Sequence, residues 1–202
     1  MTESTFPNRR LSIEEYAEME YTADIRHEYI DGAVRAMAYT SPNHARIVRN
    51  LTVLLSICAE KHDCELFAES RLVWAKDCEH GYYPDIVIIC GKMETHTIGK
   101  KMVATTNPFI IVEVLSESTK DYDKSEKWRC YKKIPSLQQY VLIDQEVKYI
   151  ETRYRTGSSA WELHDFEFDA DEIRFGDCKI SLKDIYNKVE LDNHVSDDAP
   201  NI

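Results

Sequence analysis

Two carboxylates stand where a carboxylate is expensive to place: Asp85 within YYPDIVIIC and Glu113 within FIIVEVLSEST. An ionised side chain inside an apolar strand must be paired, hydrogen-bonded or bound to a cation. Two such strands in one small chain point to a shared polar site, and its sharpest reading is a divalent-metal centre. Side chains alternate faces along a strand, so Asp85 shares a face with Val87 and Ile89, and Glu113 shares one with Phe109, Ile111 and Leu115. Neighbouring strands would let the two acids converge. Together with one backbone carbonyl, most simply that of Val114, they would make an oxygen-rich cradle suited to Mg²⁺ or Mn²⁺, which keep waters in their remaining positions. One of those waters is a candidate nucleophile. The same residues also fit a plainer arrangement, in which Asp85 caps a strand after Pro84 and Glu113 pairs with a lysine.

The elements that must position these acids can be read from pattern. In LSIEEYAEME, Ser12 with Glu15 three residues later predicts a capping box and a short helix. Asp31-Gly32 between HEYI and VRAMA predicts a tight hairpin. SPNHARIVRNLTVLLSICAEK, with Ser41 as cap, Pro42 at the first helical position, and Ile47, Leu51, Leu54, Leu55 and Cys58 at helical spacing, is the clearest helix. Strands follow in ELFAESRLVWA, PDIVIIC and PFIIVEVL, with GKMETHTIGKKMVATTN as a long irregular connection. Asp121 to Ile134 reads as a second amphipathic helix, burying Trp128, Tyr131 and Ile134 and stopping before Pro135. QQYVLID, VKYIETRYR, AWELHDF and DEIRF predict four further strands, and SLKDIYNK a last short helix capped by Ser181.

At 202 residues with 43% hydrophobic content, the chain is long enough for one domain with a real core, expected over residues 1–189. The stretch from 190 to 202 is acidic, has few apolar anchors and is expected to fray. The formal net charge of −11 argues against binding nucleic acid by general phosphate neutralisation, though not against a local basic patch. No secretory signal or long apolar span is visible, so the reading is a cytoplasmic protein that does not enter a membrane. The six cysteines show no CxxC pair and no close Cys or His pairs at structural-zinc spacing, and are read as reduced thiols.

From His27 to about Asp144, the order HEYIDG, SPNHARIVRNL, YYPDIVII, FIIVEVLSESTKDYDKSEK and YKKIPSLQQYVLID resembles the Uma family of endonucleases, within the PD-(D/E)xK restriction-endonuclease-like superfamily. The resemblance implies an α/β (α+β) fold: a central mixed sheet flanked by the His44 and Lys127 helices, here followed by a C-terminal β extension. It implies Asp85 and Glu113 as metal ligands, and Glu28 as an upstream glutamate completing the site directly or through water. The chain departs from the superfamily pattern at Leu115, where the lysine of ExK would stand. The resemblance places that role on Lys127 in the following helix. Lys124 lies one turn earlier as a substitute, and pairing of Lys127 with Asp123 is the plainer alternative. His44 matches a recurrent histidine of the family, positioned to touch the scissile phosphate or to order Glu28, or serving the helix start alone.

Ser116, Ser118 and Thr119 follow Glu113 in a polar loop, where hydroxyls suit either a phosphate or ordinary capping. Lys100 and Lys101 form a minor basic pair. The resulting expectation is a Mg²⁺- or Mn²⁺-dependent endonuclease that hydrolyses DNA phosphodiester bonds and acts as a homodimer, since cutting both strands generally uses two sites. Two other classes compete: the same fold kept as a binding or structural protein without turnover, favoured by the acidic charge and Leu115, and a small-molecule phosphoester hydrolase using the same site.

Overall fold

The computed structural model of the chain describes residues 9–37 and 40–191. Its first helix, α1 (Ile13–Thr22), begins at the expected capping box: Ser12 Oγ accepts from the Glu15 N–H at 3.2 Å, and Glu15 Oε2 accepts from the Ser12 N–H at 2.8 Å. Strands β1 (His27–Ile30) and β2 (Ala33–Ala36) then form the hairpin, with Asp31 at φ 50° and Gly32 at φ 82°, as a turn with two left-handed residues demands. In α2 (Pro42–Lys61), the Ser41 hydroxyl accepts from the His44 N–H, and Ile47, Leu51 and Leu55 line the buried face.

Two six-stranded sheets follow from the remaining pattern. The central one runs β12 (Trp161–Phe166), β11 (Ile150–Arg155), β10 (Gln139–Asp144), β9 (Ile110–Leu115), β6 (Ile86–Cys90), β3 (Cys64–Ala68). Only β9 and β10 pair in parallel; the other neighbours are antiparallel, so the sheet is mixed as expected. A parallel pair requires a crossover. It is supplied by α3 (Lys120–Tyr122), a π-helical stretch Asp123–Lys127 and α4 (Trp128–Tyr131).

Strand alternation then sorts the core. Ile86, Ile88, Ile110, Val112 and Val141 meet Ile47, Leu51 and Leu55 of α2 on one face. Val87, Ile89, Ile111, Leu115 and Leu142 meet Cys130, Tyr131 and Ile134 on the other. Asp85 and Glu113 therefore belong to the second face by alternation. Phe109, expected on that face too, precedes β9 and packs with the α2 side instead.

The second sheet runs β2, β1, β5 (His80–Tyr82), β4 (Val73–Ala75), β8 (Met102–Thr105), β7 (Thr95–Ile98). It contributes Val73, Ala75 and Tyr82 to the crossover side and packs Tyr29, Trp74 and Ile98 against Tyr16 and Ala17 of α1. This sheet changes two expectations. ELFAESRLVWA is two strands in different sheets, because the chain reverses direction at Glu69, φ 52°. The connection read as irregular contains the β7–β8 hairpin, whose Thr95, His96 and Thr97 are exposed and so lack an apolar signature. A further short pair, β13 (Glu172–Phe175) with β14 (Cys178–Ser181), precedes α5 (Leu182–Ile185), capped by Ser181.

The cysteines are not independent thiols: Cys58–Cys178, Cys64–Cys90 and Cys78–Cys130 come together as disulfide pairs, with Cα separations of 6.3, 4.0 and 5.9 Å. The pairings join residues distant in sequence, which spacing alone does not reveal. Of the tail expected to fray, Glu190 is held against α2 by Asn43 and Arg46, and residues 192–202 lie outside the described residues. Among the described residues, no helix is long and apolar enough to cross a membrane.

The crossover is anchored at the end of β10. Asp144 Oδ2 accepts from Lys120 Nζ at 2.7 Å, and Oδ1 accepts from the Glu146 and Val147 amides at 2.9 and 3.2 Å. Burial acts to raise the Asp144 pKa, but Lys120 and the two amides outweigh it and hold the carboxyl below its ordinary value. A depressed folded pKa means the stabilisation is present above the unfolded value, about 3.9, and is lost as pH falls through the folded value. Asp144→Asn is therefore expected to cost about 1–3 kcal/mol at neutral pH. The deficit, followed by thermal unfolding across pH, should shrink as the wild type itself protonates in acid.

Candidate active site

Asp85 immediately precedes β6, and the β6–β9 register pairs Ile86 with Val112, so one step back along β6 brings Asp85 level with Glu113. Both of its oxygens are oriented. Oδ2 accepts from the Val114 N–H at 2.6 Å, and Oδ1 accepts from His44 Nε2 at 2.9 Å. Strand N–H and C=O of one residue point to the same neighbour, which leaves the Val114 carbonyl on the Asp85 side. Burial acts to lower the His44 pKa, yet the Asp85 hydrogen bond and charge, with Glu69 and Asp123, raise it and favour the imidazolium. His44 thus touches Asp85 rather than Glu28.

Glu113 turns toward the crossover. Its Oε1 accepts from Lys127 Nζ and from the Tyr131 hydroxyl, each at 3.2 Å. The Lys127 ammonium also lies 2.9 Å from Glu28 Oε1 and 3.0 Å from Asp123 Oδ1. Lys127 therefore pairs with Asp123 and faces Glu28 and Glu113, as a buried side chain rather than a solvated one. Lys127 is 7% exposed, so solvent does little to screen these contacts. Its pKa lies well above the ordinary lysine value: burial pulls it down, and Asp123, Glu113 and Glu28 more than reverse this. A π-helical turn, rare and frequently found at functional sites, carries Lys127.

These groups line one cavity of about 380 Å³. Glu28, Glu69, Asp85, Glu113 and Asp123 supply carboxylates to its wall, against the permanent cations Arg35 and Lys127. The imbalance appears in the pKa directions. Glu28 is raised, by burial first and by Asp123, despite Lys127. Glu113 is raised well above the carboxylate range by burial first, then by Asp123, Asp85 and Glu28, again despite Lys127. A divalent cation would relieve this repulsion, and an all-oxygen donor set of carboxylates suits Mg²⁺ or Mn²⁺. The residues present fit such an ion.

Ser116, Ser118 and Thr119 sit at the cavity mouth, with Ser116 Oγ 3.1 Å from both neighbouring hydroxyls. Lys124 is drawn elsewhere: its Nζ bonds Glu151 Oε2 at 3.2 Å, and it does not line the cavity. Lys101 rests over the Tyr21 ring. Sequence reasoning missed Glu69, whose carboxylate lies with His44 and Asp85 in a group of ligand atoms all within 4.8 Å of one another. It follows a strand rather than lying inside an apolar run, so nothing marked it. Arg35 and the Tyr131 hydroxyl were likewise not singled out; the one is an ordinary hairpin residue by sequence, and the other carries a core signature that its burial bears out.

Comparison with known proteins agrees with this architecture. The chain is similar to a crystal structure from Anabaena variabilis, titled a "putative nuclease belonging to DUF820", with TM-score 0.70 and 16% identity over 87% of this chain and 97% of that one. At that identity the likeness speaks to the fold. Two uncharacterized proteins of Synechocystis sp. are 34% identical over 84% of this chain and 95% of the relative, and 30% identical over 80% and 83%. A family model described as "Putative restriction endonuclease" matches residues 13–177, a span that includes every cavity-lining acid and Lys127. The chain belongs to the Uma2 family.

Proposed function

We propose that this protein is a metal-dependent endonuclease that hydrolyses DNA phosphodiester bonds, with its active site in the cavity between α2 and the crossover. The observation that carries the proposal is the convergence of Asp85, Glu113 and Glu28 with one buried lysine, Lys127. The family's description and the nuclease title of the Anabaena structure support the substrate class.

Asp85 and Glu113, with the Val114 carbonyl, would hold Mg²⁺ or Mn²⁺, and Glu28 or Glu69 would complete the site directly or through water. When bound, the cation would supply Lewis acidity toward phosphate oxygens and make its bound water more acidic. The remaining work falls to the chain itself. His44 and the Val114 amide fix both Asp85 oxygens, so the carboxylate is oriented before substrate arrives. In phosphodiester hydrolysis water forms a new P–O bond, the bond to the leaving oxygen breaks, and negative charge grows on the oxygens between. The Lys127 ammonium, held without screening, opposes that charge. Asp123 and Tyr131 keep Lys127 and Glu113 in place, and the hydroxyls of Ser118 and Thr119 are suited to receive the phosphate at the mouth.

One observation favours a second reading. Lys127 already lies within 3.2 Å of three carboxylates, so the cluster would also serve as a buried structural network in a binding protein without turnover.

Incubation of supercoiled plasmid and single-stranded DNA with Mg²⁺ or Mn²⁺ distinguishes these. The wild type is expected to nick DNA, and Asp85→Ala to lose roughly 100-fold or more in rate, the scale of losing one preorganised electrostatic group. An inert wild type, or equal activity in Asp85→Ala, would favour the binding reading; turnover of a small phosphodiester alone would favour a small-molecule hydrolase. The two lysines should also separate. Lys124→Ala is expected to cut within about threefold of wild type, whereas Lys127→Met should lose activity and, by leaving three acids unpaired, roughly 3–5 kcal/mol of stability. Assaying both at a temperature where circular dichroism shows them folded assigns the lysine.

A further inference from the structure

A second cluster of ligand-type side chains lies apart from the acidic cavity. Cys78 ends the 3₁₀ turn Lys76–Cys78 between β4 and β5, His80 opens β5, and Cys130 sits in α4. The two sulfurs and one ring nitrogen all lie within 4.8 Å of one another. His80 and Cys130 are buried, at 6% and 2% exposure, while Cys78 is half-buried and leaves a side open.

The hydrogen bonds around His80 decide which of its nitrogens is available. Nε2 lies 3.0 Å from Asp31 Oδ1. A carboxylate oxygen accepts, so Nε2 is the ring nitrogen that carries the proton toward Asp31. Nδ1 is then the ring nitrogen free to present a lone pair, and this is the atom 3.5 Å from Cys130 Sγ. A histidine whose remote N–H is held by a carboxylate is the arrangement that orients imidazole metal ligands and raises their basicity. Lys133 Nζ lies 3.6 Å from Cys78 Sγ on the open side. The Tyr82 hydroxyl, 2.7 Å from Nδ1, is the group an ion would displace.

We propose that, when the Cys78–Cys130 pair is reduced, Cys78, Cys130 and His80 Nδ1 form a binding site for a thiophilic divalent cation such as Zn²⁺. Two thiolates and an imidazole are the soft donor set that zinc takes in preference to Mg²⁺, and a solvent molecule fills the fourth, open position. Disulfide and metal are mutually exclusive states of the same sulfurs. A phosphine reductant breaks the S–S bond, its phosphorus is oxidised by taking the oxygen of water, and each sulfur gains a proton; metal binding then releases both thiol protons. Where thiols are kept reduced, the metal state is the accessible one. A cation here would tether Cys130 of α4, three residues beyond Lys127, to the β4–β5 connection. The proposal stands independently of the nuclease reading, since it shares no ligand with the acidic cavity.

Cobalt titration of the phosphine-reduced full chain tests it, because a thiolate-to-cobalt charge-transfer band reports sulfur ligation and the carboxylate cavity cannot produce one. The wild type is expected to bind one equivalent with that band, and Zn²⁺ to bleach it. Cys78→Ser and Cys130→Ser should abolish the band, Cys58→Ser should retain it, and Asp31→Asn should weaken binding by roughly 10- to 100-fold. Absence of the band in the reduced wild type, its persistence in Cys78→Ser, or its loss in Cys58→Ser would overturn the assignment. Circular dichroism of each variant ensures that a lost band is not a lost fold.

Discussion

One buried ammonium organises this molecule. Lys127 lies within 3.2 Å of carboxylate oxygens from Glu28, Asp123 and Glu113, which belong to β1, the crossover and β9. Those three elements come from both sheets and the helical connection between them. A charge cluster of this kind is weak evidence for stability, because desolvation consumes most of the Coulombic gain. Its consequence is constraint: removing the lysine would strand three acids, so the elements are required to meet here.

The constraint leaves an electrostatic residue that the chain itself does not neutralise. Glu28 and Glu113 remain raised although Lys127 stands beside both: burial acts first, Asp123 adds like charge to each, and Asp85 adds it to Glu113. Groups shifted by burial and specific neighbours inside a cleft mark a candidate site, and a structural ion-pair network shifts its groups in the same way. The geometry of Asp85 sharpens this. A carboxylate serving only as a strand cap has no need of a histidine nitrogen on one oxygen and an amide on the other.

Much of this site was legible before any coordinates, for definite reasons. Asp85 and Glu113 stood out because acids interrupt apolar strands at a period that assigns them one face, and the β6–β9 register puts them level. Lys127 was legible only through the family's motif order, since a lysine in an amphipathic helix is otherwise unremarkable. Glu69 carried no signal: its role depends on a left-handed turn that separates β3 from β4 and sends them to different sheets. The β7–β8 hairpin was hidden by its exposed polar face. The cysteine pairs were invisible because tertiary folding, not spacing, brings Cys78 to Cys130. Local propensity and alternation speak to the elements, while the long-range meetings that make chemistry belong to topology.

We propose that the acids around Lys127 hold a divalent cation. Isothermal calorimetry of Mn²⁺ binding to the wild type, Asp85→Ala and Glu113→Ala tests it without any assumed substrate. Saturable binding is expected in the wild type, lost or weakened at least tenfold in both variants. No binding by the folded wild type, or equal binding by all three, would contradict it.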